Sequence, residues 1–199
     1  GYHSRATVCS PPKLEPMTSK SIPDVAFAGV TFNDLRGRGV IVTGGASGIG
    51  ADIVRGFAAQ GCKVGFVDLY ASAGQAMADA LPEVFFQACD VTDIEALRTA
   101  LSVLIDKIGG VDVLVNNVAN DARHTIESVT PEYFDERVAI NLRPHFFAMQ
   151  SVLSSMRARG GGTIVNMGSV SWKFKGTGYA VYATCKSAML GFTRVLARE

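Results

Sequence analysis

The stretch that most constrains the fold is Val40-Ile-Val-Thr-Gly-Gly-Ala-Ser-Gly-Ile-Gly50. Val40, Ile41 and Val42 form an apolar, β-branched run, the composition of a strand buried on both faces. Gly44, Gly48 and Gly50 follow at the spacing Gly-x-x-x-Gly-x-Gly, and an amphipathic helical pattern then runs over 49–60. Strand, turn and helix in that order aim backbone N–H groups and the positive end of a helix dipole at one point, which suits a pyrophosphate. A Cβ there would block the tight turn or the approach of the phosphate, so glycine is required. A glycine trio taken by itself is also compatible with a turn that binds nothing, and the rest of the chain has to decide.

A second strand over 63–68 ends in Asp68, 24 positions after Gly44. An acid at that place accepts hydrogen bonds from adenosine ribose hydroxyls and repels the extra phosphate of NADP. Ala46 and Ser47 in the turn supply no cation for such a phosphate, so the expected cofactor is NAD. The alternative for Asp68 is a solvated carboxylate at a strand end. A helix over 73–81 stops near Pro82, and a third strand over 84–90 brings Asp90 and Val91 to its carboxyl end, where ligands bind in open parallel sheets. A helix over 93–107 is capped by Thr92 or Asp93 and stopped by Gly109-Gly110. A fourth strand over 111–115 leads into Asn116-Asn117. Strands alternating with helices imply right-handed crossovers and an α/β fold, a doubly wound parallel sheet of Rossmann type.

With 199 residues, 48% of them hydrophobic, the chain is long and apolar enough for one domain with a real core. A formal net charge of +1 leaves no electrostatic footprint for nucleic acid or an anionic membrane. No run of eighteen apolar residues occurs, so no membrane span is expected. Cys9, Cys62, Cys89 and Cys185 show no C-x-x-C spacing and read as free thiols of a reducing, cytoplasmic compartment. Residues 1–37 read as an irregular arm without the apolar core of a signal peptide, with Met17 as a possible natural start. Phe32 and Leu35 are expected to cover the lower edge of the sheet. Residues 38–199 are the dinucleotide-binding domain and carry the catalytic groups.

The second half adds the chemistry. Residues 130–159 read as one long helix with Thr130 as N-cap, Pro131 at its first position and Glu132 in its first turn. Asn141 lies inside it among Val138, Ile140 and Leu142, where a buried amide must be satisfied and a local kink is expected. A fifth strand over 162–168 delivers Ser169 to its carboxyl end; on its own such a serine is a turn residue. Tyr182 and Lys186, four apart on a helix over 179–198, share one helical face. A free tyrosine has a pKa of about 10, too high for a base at neutral pH. A neighbouring ammonium favours the phenolate. Tyr179 has Ala183 where the lysine would have to stand.

Thr43-Gly-x-x-x-Gly-x-Gly50, Asp90-Val91, Asn116-Asn117, Asn141, Ser169 and Tyr182-x-x-x-Lys186 stand in the order and spacing of the short-chain dehydrogenases/reductases, and the chain resembles that family over about residues 37–199. The resemblance implies a cofactor groove built from Gly44, Ser47, Gly48, Ile49, Gly50, Asp68, Asp90, Val91 and Asn117, with Tyr182 and Lys186 on the nicotinamide ribose. It implies a catalytic set of Asn141, Ser169, Tyr182 and Lys186. In that set the Tyr182 phenolate takes the substrate proton, Ser169 stabilises the substrate oxygen, and Asn141 holds a water linking Lys186 to solvent. Asn116-Asn117-Val118-Ala119 departs from the family's Asn-Asn-Ala-Gly, and Ala119 is expected to crowd the cofactor backbone slightly.

Asn120-Asp-Ala-Arg-His124, Asp135-Glu-Arg-Val-Ala-Ile-Asn-Leu-Arg143 and Gly168-Ser-Val-Ser-Trp172 resemble the branch that oxidises free aldoses at C1 to lactones, the D-xylose, L-arabinose and D-galactose 1-dehydrogenases. Under that resemblance Asn120, Arg123, His124 and Trp172 line a sugar pocket, which needs several polar partners. His124 has no Cys or second His at ligand spacing, so no metal is expected. The competing readings are a dehydrogenase for a 3-oxoacyl thioester, a steroid or a polyol, and a non-catalytic dinucleotide-binding fragment. Family members continue further, so the chain is expected to be a partial sequence, truncated after the helix that follows strand 5, with that strand left as an open edge. A homo-oligomer, dimer or tetramer, is expected through the helices over 130–159 and 179–198, which are apolar over more than one stripe.

Overall fold

β1 (Gly39–Thr43) is buried at every position, as its apolar run predicts. It lies at the centre of a five-stranded sheet of order β3-β2-β1-β4-β5, with β2 (Lys63–Asp68), β3 (Val84–Ala88), β4 (Val113–Asn116) and β5 (Thr163–Asn166). Every pairing is parallel, and Val42 faces Phe66 on one side and Val115 on the other. This computed structural model describes residues 29–174 and 176–199. Six helices flank the sheet in the described residues: α1 (Gly48–Ala59), α2 (Ala71–Ala80), α3 (Ile94–Ile108), α4 (Pro131–Asn141), α5 (Arg143–Ala158) and α6 (Ala180–Leu196).

Successive residues of a strand point to opposite faces, and the core divides accordingly. Val40, Val42, Val54, Phe66 and Met77 pack on the side of α1 and α2. Ile41, Leu97, Leu101, Leu104, Leu114 and Val152 pack on the side of α3 and α5. The sheet is therefore wound on both faces, as the βα alternation predicts. From β1 the chain first moves outward to β2 and β3, then returns to place β4 on the other side. That reversal opens a crevice above the carboxyl ends of β1 and β4, the usual place for a ligand in such sheets.

The caps follow the sequence closely. Asp93 accepts N–H bonds from Glu95 and Ala96, each at 3.0 Å, and Gly109 closes α3 in the left-handed conformation at φ 76°. Thr130 caps α4 through Tyr133 N–H at 3.2 Å, with Pro131 in the first turn. The one long helix expected over 130–159 is instead two. Its backbone breaks at Leu142 (φ −133°, ψ −55°), so the expected kink is a full interruption. Pro144 accounts for it, because the ring has no N–H to donate and crowds the backbone that precedes it. Asn141 thus stands at a helix end rather than mid-helix.

At the amino end of the sheet, Asp112 joins three elements. Its carboxylate accepts from Gly39 N–H (2.8 Å), from Arg38 (3.1 Å) and from Arg159 after α5 (2.8 Å). Leu35, in a 3₁₀ turn (Asn33–Leu35), packs on the α1–α2 side of the core, whereas Phe32 is 56% exposed and does not cover the edge as expected. Met17 and Cys9 lie outside the described residues. Cys62, Cys89 and Cys185 are buried free thiols. No described helix is long and apolar enough to cross a membrane. β5 is the outer strand on its side of the sheet.

Candidate active site

The turn after β1 assigns each glycine a different task. Gly44 has φ +72°, and a Cβ on it would lie 3.0 Å from Val118 Cα. A Cβ on Gly50 would lie 1.8 Å from the Gly44 carbonyl oxygen, so helix and turn touch there without room for a side chain. A Cβ on Gly48 would meet no protein atom within 4 Å. The first residue of α1 therefore opens toward the crevice, with its φ at +52°. Ser47 precedes the helix and its hydroxyl makes no capping bond, and Ile49 is exposed beside it. A narrow, side-chain-free cradle at a helix N-terminus is what a dinucleotide pyrophosphate requires.

The cradle is tied to the next strand of the crevice. Asn117 donates from Nδ2 to the carbonyls of Thr43 (3.1 Å) and Gly44 (2.9 Å). Thr43 Oγ1 in turn receives the N–H groups of Asn117 (3.1 Å) and Val118 (3.2 Å). Asp68 stands at the end of β2 and accepts Ala46 N–H on one oxygen (2.9 Å) and Tyr70 N–H on the other (3.0 Å). It holds the glycine turn, and a carboxylate still has lone pairs for further donors. Asp90 is exposed and accepts from the Thr92 N–H and hydroxyl. The Val91 side chain packs into the core, so only its main chain is left to face a ligand.

α6 carries Tyr182 and Lys186, and Lys186 reaches the main chain just after β5. Lys186 is 2% exposed; its Nζ donates to the Met167 carbonyl at 2.8 Å and lies 6.0 Å from the Tyr182 ring centroid. Burial lowers the Lys186 pKa to about 8. Nearby His145, on α5, is 1% exposed, and neither ring nitrogen has a hydrogen-bond partner. Burial, with the Lys186 charge adding, lowers its pKa to about 3, so its imidazole is neutral at neutral pH. Nothing in the sequence singles out His145, which stands mid-helix beside Phe146 and Phe147.

Asn141 is fully buried, and its amide makes a reciprocal pair with the backbone of Asn120. Oδ1 accepts Asn120 N–H at 2.8 Å, and Nδ2 donates to the Asn120 carbonyl at 2.9 Å and to Arg137 O at 3.0 Å. Both side-chain donors are used on protein. The side chain anchors the loop after β4.

A cavity of about 220 Å³ brings Ser169 and Tyr182 together with Asp121, Arg123, Val170, Ser171 and Tyr179. Ser169 Oγ accepts Ser171 N–H at 3.1 Å. Arg123 lies with its guanidinium 4.6 Å over the Tyr179 ring. Of the four residues expected to line a sugar pocket, Arg123 is in the lining and His124, Trp172 and Asn120 are not. His124 uses both ring nitrogens on protein partners, Tyr133 Oη and Val181 N–H. Trp172 is 40% exposed, with Lys173 Nζ 5.2 Å from its ring centroid. The Asn120 backbone is held by Asn141 and its side chain accepts Ala122 N–H. Asp121 and Tyr179 line the cavity instead; in sequence Asp121 is marked only as the neighbour of Asn120, and Tyr179 only as a tyrosine with no lysine four residues on. Among the described residues no cluster of His, Cys, Asp and Glu forms a metal site.

Residues 38–199 match the family model of the short chain dehydrogenases. The chain is 41% identical over 173 residues to a D-xylose 1-dehydrogenase of Caulobacter vibrioides, covering 84% of this chain and 68% of that protein. It is 43% identical over 171 residues to a probable galactose dehydrogenase of Rhizobium meliloti, covering 83% of this chain and 67% of that one. Among solved structures, a double mutant of a Serratia marcescens short-chain dehydrogenase/reductase superposes with a TM-score of 0.75 at 33% identity, over 82% of this chain and 69% of that one.

Proposed function

The chain belongs to the short-chain dehydrogenase family, oxidoreductases acting on CH–OH donors, and from that premise we propose that it oxidises C1 of a free aldose to a lactone with NAD. The observation that carries the reading is the cavity shared by Ser169 and Tyr182, with a buried Lys186 one helical turn behind the tyrosine. The similarity to sugar dehydrogenases supports the substrate class. Asp68 at the end of β2, with no cation in the turn, supports NAD over NADP.

The glycine cradle fits the cofactor. Gly44, Ser47, Gly48, Ile49 and Gly50 would hold its pyrophosphate, Asp68 its adenosine ribose, Asp90 and the Val91 main chain its adenine, and Asn117, Tyr182 and Lys186 its nicotinamide end. When bound, the nicotinamide supplies the two-electron acceptor. Tyr182 takes the proton of the sugar's anomeric hydroxyl. Ser169 donates a hydrogen bond to that oxygen as negative charge develops on it. Lys186 stabilises the phenolate by its charge. It has three N–H donors and the Met167 carbonyl uses one, so others remain for a ribose. Asn141 fixes the loop that forms one wall. Residues 38–199 act as the dinucleotide-binding and catalytic domain. The protein works as a cytoplasmic homo-oligomer, a dimer or tetramer, a reading supported by the exposed Phe134, Phe146, Leu190 and Val195 of α4, α5 and α6.

Initial rates of NADH formation test the reading, with D-xylose, L-arabinose and D-galactose set beside polyols and hydroxysteroids, and with NADP in place of NAD. Aldose turnover with NAD is the expected result. A preference for polyols would favour the second reading, to which similarity with a D-threitol dehydrogenase of Mycolicibacterium smegmatis, 34% identical over 170 residues, also points.

A further inference from the structure

We infer that His124 is a positioning residue for the catalytic helix: its imidazole caps the start of α6 in a tautomer fixed by Tyr133 and the Ala122 carbonyl. A helix begins with N–H groups that have no partner inside it. Tyr179, at the N-cap of α6, makes no side-chain capping bond. The N–H of Val181, the residue before Tyr182, instead meets His124 Nε2 at 3.4 Å. The His124 backbone N–H also donates to the Gly178 carbonyl at 3.0 Å. One residue of the loop after β4 therefore holds the start of α6 at two points.

For Nε2 to accept, the neutral ring must carry its proton on Nδ1. The surroundings impose that form. Nδ1 lies 3.1 Å from Tyr133 Oη, and Tyr133 Oη lies 3.2 Å from the Ala122 carbonyl, which can only accept. Nδ1 itself lies 3.4 Å from the same carbonyl, so a proton on Nδ1 has an acceptor there as well as at the Tyr133 oxygen, whose hydroxyl donates to Ala122. Tyr133 is held in turn on α4, with the Arg137 guanidinium 5.2 Å over its ring and the imidazole edge-on at 5.2 Å. The resulting chain of contacts runs from α4 through the loop to the residue preceding Tyr182. Reacting groups displaced by about 1 Å lose on the order of 10²-fold in rate, so this clamp bears on turnover while touching neither substrate nor cofactor.

The inference rests on Tyr182 being the proton acceptor of the proposed reaction, but its first test does not. Long-range proton–nitrogen correlation of 15N-histidine-labelled protein is expected to show His124 protonated on Nδ1 and bare on Nε2. A proton on Nε2 would overturn the inference. Tyr133→Phe leaves Val181 N–H facing Nε2 and the Ala122 carbonyl facing Nδ1, so the same tautomer should persist while the ring is held less firmly and exchange of the Val181 amide quickens. Two amides then separate the ring nitrogens: His124→Gln sets an oxygen where Nε2 stood, and His124→Asn sets its amide where Nδ1 stood. His124→Gln should keep kcat within about threefold of the parent, and His124→Asn should lower it about 10- to 100-fold, with KM for sugar and NAD little changed. Exchange of the Val181 amide should accelerate in His124→Asn and not in His124→Gln. Equal behaviour of the two variants, or a raised sugar KM at constant kcat, would refute the positioning role. Absence of aldose turnover in the parent protein would sink the proposed function instead, and tautomer and amide exchange would still decide this inference.

Discussion

At the amino end of the sheet, Asp112 is surrounded by donors. Burial pushes its pKa up, but the hydrogen bonds from Arg159, Gly39 N–H and Arg38 outweigh that and hold it below the usual carboxylate range. At the carboxyl end two buried titratable groups, Lys186 and His145, are left short of partners. Lys186 has the Met167 carbonyl as its hydrogen-bond acceptor, His145 has no partner on either ring nitrogen, and both titrate below their ordinary values. The first arrangement ties β1, β4 and the end of α5 together. The second keeps an ammonium close to releasing its proton beside Tyr182. The buried charge at the amino end is paired on every side, whereas the one at the carboxyl end is held near the pH at which it can exist in either state.

The comparison can be broken most forcefully at the tyrosine. Tyr182→Phe is expected to lower kcat by about 10³-fold, in the range for loss of a general acid–base group, with NAD affinity and the thermal midpoint unchanged. A merely modest loss would remove Tyr182 from the chemistry. Asp112→Ala should do the reverse. One buried amide loses its acceptor and two arginines, both open to solvent, lose theirs, so urea unfolding should show about 1–3 kcal/mol less stability, with kcat intact wherever the variant is folded. His145 sharpens the contrast through pH. Its folded pKa is depressed, so its contribution is fully present above 6.5 and is lost as pH falls toward about 3. From pH 6.5 to about pH 5 that loss should reach about 2 kcal/mol in the parent and vanish in His145→Leu, read from unfolding midpoints at each pH. The smallest effect belongs to Arg123, which is exposed at the cavity rim. Arg123→Ala should raise the sugar KM about fivefold, the worth of roughly one hydrogen bond, and leave kcat in place.

Much of this was legible in the chain. β1 announces itself as a β-branched run because both of its faces are buried. Asp93 and Thr130 are readable as caps because capping is a local event. Tyr182 and Lys186 are readable because four residues make one helical turn. What escaped depends on contacts that spacing does not encode. The Asp112 cluster exists only once strand order brings residues 39, 112 and 159 together. His145 becomes noteworthy only when the helix around it turns out to be buried against Lys186. The break at Leu142 is hidden in the sequence because the apolar pattern continues across Pro144. The sequence points His124 at substrate because a histidine in such a loop carries no mark of which way it faces, whereas its partners lie on α4 and α6.

The four hydrogen bonds between Thr43, Gly44, Asn117 and Val118 have a consequence for association kinetics. They stitch the two lips of the crevice into one plate before any nucleotide arrives. An incoming dinucleotide therefore meets a finished landing surface and has little loop ordering left to impose, so its capture should be limited by encounter rather than by rearrangement.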